Sequence, residues 1–153
     1  YLLLYSVLVI GSFAVVAVVG RKGDDATDLN GFRGLGRSHP ALALAFTVLL
    51  IAQAGVPLTT GFVAKFGVIS AAVDAHSYAL AIIAMLAAVI AAFLYLRIMV
   101  SMWASEPEAG DDDRQPIHVP LLTGIVIAFT ALFTIVFGLA PGWLIDASKH
   151  IFP

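Results

Sequence analysis

Long apolar runs alternate with short polar connections along this chain. The first run is Tyr1 to Gly20, the second Pro40 to Val73, the third Ser77 to Ala104 and the fourth Ile117 to about Asp146. A membrane-spanning helix needs roughly 20 mostly apolar residues. The first, third and fourth runs meet that length. The second is too long for one straight span and is interrupted by Gly55, Pro57 and Gly61, so it reads as two half-helices joined in mid-membrane. No strand-type alternation is present, which argues against a barrel. No run carries a basic amphipathic face, which argues against an interfacial helix. The expected fold is all-α: a polytopic membrane helix bundle with one discontinuous transmembrane helix. Its expected spans are 1–20, 40–73 (broken near 55–61), 77–104 and 117–146. Tyr1 already lies in an apolar run with no leader-like pattern ahead of it, so further helices are expected before it.

Composition supports the membrane reading. Of 153 residues, 61% are hydrophobic and 12% charged, against about 25% charged in an ordinary soluble domain. The net charge of −2 gives no reason to expect a nucleic-acid partner, and the absence of cysteine excludes disulfides, thiolate metal sites and a cysteine nucleophile. Basic residues mark the cytoplasmic side of a membrane protein. The first connection carries Arg21, Lys22, Arg33 and Arg37. The second, Asp74 to Ser77, has no lysine or arginine, and the third carries Arg114, with Arg97 at the membrane end that feeds it. Loops 21–39 and 105–116 are therefore expected in the cytoplasm, and the second connection and the C-terminus outside. The acidic run Asp111 to Asp113 reads as a solvated loop.

The stretch with candidate chemistry is AGVPLTTGFVAKFGV, Ala54 to Val68. In lipid every backbone polar group needs a partner, so a broken helix survives only when buried in protein or beside water. Pro57 removes a donor, Gly55 and Gly61 allow turns other residues resist, and Thr59 and Thr60 can offer hydroxyls to freed backbone groups. Half-helices of this kind meet at ion sites in transporters. Lys65 is the one ionisable side chain deep in any expected span, and a charge there costs at least ~2.5–3.5 kcal/mol. An amine removed from water can exist in either protonation state, so it can carry a proton. The competing reading is a snorkelling lysine with its ammonium among the outer headgroups, but snorkelling needs no helix break. His39, just before Pro40, is a weaker candidate, a relay at the proton entrance on the cytoplasmic side. Gln53 reads as a partner for freed backbone groups or a holder of water. Arg97, Tyr95 and Trp103 read as interface anchors, and His76 and His150 as solvated loop residues.

The stretch Asp28 to Val73 resembles the C-terminal region of the subunit N family of proton-pumping NADH–quinone oxidoreductase, respiratory complex I. The likeness rests on Arg33-Gly34-Leu35, on Gly55-Val56-Pro57-Leu58-Thr59-Thr60-Gly61-Phe62-Val63-Ala64-Lys65-Phe66, and on Phe93 to Trp103. Gly31, Phe32, Phe93 and Leu94 depart from the family pattern without touching the lysine. The resemblance implies the last four spans of an antiporter-like membrane-arm subunit. It places Lys65 in an intramembrane proton path and implies translocase activity coupled to quinone reduction. It implies other complex I membrane-arm subunits and the lipid bilayer as partners, and a place in the bacterial inner (plasma) membrane. No cofactor is expected in this chain. NADH, FMN, iron–sulfur clusters and quinone would belong to other subunits. The rival readings are a subunit of a multi-subunit cation/proton antiporter, a non-catalytic packing subunit and, behind these, a membrane-bound hydrogenase subunit.

Overall fold

The computed structural model describes residues 1–20, 29–105, 117–139 and 142. Most of loop 105–116, the acidic run within it, the first half of loop 21–39 and the C-terminus lie outside the described residues.

Among the described residues the regular structure is helical. Helix α1 spans Leu2–Gly20, a 3-10 turn spans Leu29–Phe32, and α2 is a single turn at Leu35–Ser38. Then come α3 at Pro40–Ala54, α4 at Thr60–Asp74, α5 at Tyr78–Ala104 and α6 at Leu121–Leu139. Three of these, α1, α5 and α6, are long and apolar enough to cross a membrane. At ~1.5 Å per residue, 19-residue α1 and α6 approach the ~30 Å of a hydrocarbon core. Helices α3 and α4 have 15 residues each, so neither reaches across alone.

Local sequence explains the boundaries. Pro40 sits in the first turn of α3, where its missing N–H breaks no helical bond. Thr59 caps α4, its side chain accepting from the Phe62 amide at 3.3 Å. Helix α4 ends in a tight return: His76 takes a left-handed φ of 56°, and the Ser77 amide donates to the Ala72 carbonyl at 2.9 Å. That pairing lets the chain turn within three residues. Helix α6 begins at Leu121, later than the expected 117, directly after Pro120.

Helix α3 is the hub and packs against α1, α5 and α6. Its Leu42, Ala43, Phe46 and Leu50 meet Val15, Val18 and Val19 of α1, Met102 of α5 and Ile127 of α6. Lipid is as apolar as these side chains, so association relies on close packing and hydrogen bonds. Gly11 shows the closeness: an added Cβ would collide with the Thr130 hydroxyl of α6. By contrast, α5 buries only Ala81 and Met102. The end of the first loop is folded, not extended: Phe32 and Leu35 join the core, and a Cβ on Gly36 would come within 2.6 Å of the Trp103 ring.

Candidate functional site at the end of helix α3

Any helix leaves its last carbonyls without intrahelical partners. At the end of α3, Gly55 turns the chain with a φ of 84°. Its amide donates to the Ile51 and Ala52 carbonyls, and the Val56 amide donates to Ile51. Those bonds leave the carbonyls of Gln53 and Ala54. Lys65 supplies the missing donor: its Nζ lies 2.8 Å from the Gln53 oxygen and 3.0 Å from the Ala54 oxygen. The side chain comes from the second turn of α4 and reaches back across the interruption. A cation here also meets the negative end of the α3 dipole. Gly55 is required twice, because a Cβ there would stand 2.9 Å from the Lys65 stem as well as straining the left-handed turn.

The interruption at 55–59 is packed on both sides. Gly61 lies inside α4 and is not a turn residue, contrary to its expected role. A Cβ there would strike the Ala52 carbonyl, so its value is close approach. From the other side, Gly138 of α6 lies against Leu58 and Thr59, where a Cβ would come within 2.6 Å of the Thr59 Cα. The Thr59 hydroxyl donates to the Val56 carbonyl at 2.7 Å. The Thr60 hydroxyl pairs with that of Thr134 at 2.8 Å, and both residues are buried. Pro57 falls in the connection between the helices.

A third element closes the site. Gln53 is buried, and its side-chain amide donates to the Leu8 carbonyl at 3.4 Å and to the Ser12 hydroxyl. The Tyr5 hydroxyl approaches the Gln53 carbonyl oxygen at 3.4 Å, the same oxygen that holds Lys65. Beside this cluster lies a cavity of about 290 Å3, lined by Lys65, Gln53, Tyr1, Tyr5, Tyr95 and the small side chains of α5. Such a cavity is large enough for ordered water, and it carries the polar partners water needs.

His39 is not part of this cluster. It caps the opposite end of α3, about 20 Å away by helical rise, where its Nδ1 is buried without a hydrogen-bond partner among the described residues. Sequence reasoning singled out Lys65, Gly55, Pro57, Thr59, Thr60 and Gly61 but missed Tyr5, Ser12, Thr134 and Gly138. Their signal was faint: isolated polar or small residues in otherwise apolar runs. Among the described residues no group of three or more His, Cys, Asp or Glu side chains could hold a metal ion.

Residues 1–91 match the family described as NADH:quinone oxidoreductase/Mrp antiporter, transmembrane. NADH-quinone oxidoreductase subunit N 3 of Streptomyces griseus is 44% identical over 98% of this chain, and the aligned part is 27% of that relative. Subunit N of a Parafrankia species is 42% identical over 95% of the chain and 27% of the relative. Subunit N 1 of Herpetosiphon aurantiacus is 39% identical over 99% of the chain and 30% of the relative. The chain thus spans less than a third of the length of these curated relatives. With a match over more than half its length and apolar helices of membrane-spanning size, the chain belongs to the NADH:quinone oxidoreductase/Mrp antiporter transmembrane family.

Proposed function

We propose that this chain is part of a subunit N-type membrane-arm subunit of NADH–quinone oxidoreductase, and that Lys65 belongs to its proton path. The observation that carries the reading is the Lys65 amine held by two backbone carbonyls beside a cavity lined by tyrosines. The relatives named subunit N support the choice of complex. In this reading α3 and α4 together form the discontinuous span, loops 21–39 and 105–116 face the cytoplasm, and the last helices of the subunit are those described above.

The geometry suggests how the lysine works. An ammonium has three N–H donors, and the Gln53 and Ala54 carbonyls take two. The third is left for exchange with the cavity. A neutral amine keeps two N–H groups, enough to hold both carbonyls. Lys65 can therefore lose and regain a proton while staying in place. A charge arriving ~10 Å away would shift its balance by roughly 1.7 kcal/mol at an effective dielectric of ~20, which is enough to drive exchange.

Lys65→Arg tests this directly. Guanidinium can donate to the same carbonyls but does not give up its proton. The assembled complex carrying Lys65→Arg should retain normal stability and lose most of its quinone-linked proton pumping. Normal pumping by Lys65→Arg would contradict the proposal. The family also includes Mrp antiporters, so a second reading is a cation/proton antiporter subunit. Pumping that needs sodium in sealed vesicles would favour it.

A further inference from the structure

The Lys65 acceptors are only as well placed as the end of α3 that carries them. That end is tied to α1 at Gln53, by its side chain and by the Tyr5 hydroxyl on its carbonyl oxygen. Gln53 is 6% exposed; its amide crosses to α1, donating to the Leu8 carbonyl and the Ser12 hydroxyl. Its own backbone oxygen accepts from Lys65 Nζ. The same residue therefore joins three elements: α1 through its side chain, α4 through its carbonyl, and α3 through its backbone. A buried amide left without partners costs about 1–3 kcal/mol. A leucine at this place would pack with the surrounding apolar residues at no such cost, so anchoring the helix end is what the amide adds.

We propose that Gln53 is a positioning residue for Lys65, with Ser12 of α1 as its anchor. The inference rests on the proton-path reading of Lys65. Through the Gln53–Ser12 link, α1 fixes where the two carbonyls stand. The amine then faces the cavity in one orientation. Among the described residues the titratable groups facing it there are Tyr1, just before α1, Tyr5 of α1 and Tyr95 of α5. A misplaced proton donor loses rate steeply with distance. The link is thus a point through which movement of α1 would reach the proton path.

The test uses the whole assembled complex in sealed vesicles, with protons pumped per electron and assembly measured together. The variants are Gln53→Met, Ser12→Ala, Ser12→Thr, and Gln53→Met with Ser12→Ala. Leu49→Ala is a packing control, since Leu49 is fully buried against Leu8 and Ala52. Gln53→Met and Ser12→Ala should each lower pumping roughly tenfold, and the double variant should be no worse than either. Ser12→Thr keeps the hydroxyl and should pump normally. Leu49→Ala should lower the amount of complex without lowering the protons pumped per electron by the complex that assembles.

Normal pumping by Gln53→Met, alongside loss in Lys65→Ala, would overturn the inference and leave the role of Lys65 intact. Pumping that falls only in proportion to assembly, with no rescue by Ser12→Thr, would also overturn it by making Gln53 a packing residue. Normal pumping by Lys65→Ala would remove the reading on which both claims stand.

Discussion

At the scale of single residues, Lys65 is a helix-end partner as well as a candidate proton carrier. The two roles are separable. Lys65→Met removes the donor from the Gln53 and Ala54 carbonyls, and unpaired buried polar groups cost about 1–3 kcal/mol. The complex carrying Lys65→Met should therefore melt a few degrees lower, while Lys65→Arg should not, as thermal denaturation of solubilised complex would show. Gly55→Ala should be worse than an ordinary glycine replacement. A left-handed conformation costs an L-residue roughly 1–2 kcal/mol, and the new methyl meets the Lys65 stem. The expected result is reduced assembly with pumping per complex also reduced. Lys65 was legible from sequence because a charge in an apolar run is conspicuous. The partners were not. Gln53 meets Leu8 and Ser12 from more than forty positions away, and no local periodicity carries such a pairing.

At the scale of elements, the interruption between α3 and α4 is approached from both sides by glycines that leave no room for a Cβ. Thr60 and Thr134 form the polar contact between α4 and α6. Removing one hydroxyl strands the other, whereas replacing both leaves an apolar pair of similar shape. Thr134→Val should therefore destabilise the complex by about 1–3 kcal/mol, and Thr60→Val with Thr134→Val by clearly less. A double variant no better than the single would show that the pair contributes nothing specific. The helical, membrane-type character of α1, α5 and α6 was legible because length and hydropathy set it. Their edges were less so: α6 begins after Pro120, and the 3-10 turn and α2 form where a loop was expected. Those short pieces are shaped by packing of Phe32 and Leu35 against α1, α3 and α5, which no local signal reveals. The spacing of Thr130, Thr134 and Gly138 at every fourth position of α6 is the small-residue stripe that close helix packing uses. In the fold it lines the face that covers the interruption.

At the scale of the whole molecule, α3 is enclosed by α1, α5 and α6, and the lysine and its carbonyls sit where the hub helix ends. The proposed discontinuous span of α3 and α4 needs such enclosure, because backbone groups exposed to lipid have no water to bind. The proposed orientation rests on the basic residues of loop 21–39 and can be checked directly, since the chain has no cysteine of its own. Ser38→Cys should react with an impermeant thiol reagent from the cytoplasmic side and His76→Cys from the outside. The reverse pattern would overturn the orientation. The proton-path claim is tested most directly by the number of protons pumped per electron in fully assembled complex carrying Lys65→Ala. A clear loss at normal assembly and electron transfer is the predicted result. An unchanged ratio would contradict the claim and reduce the lysine to a cap on the end of α3.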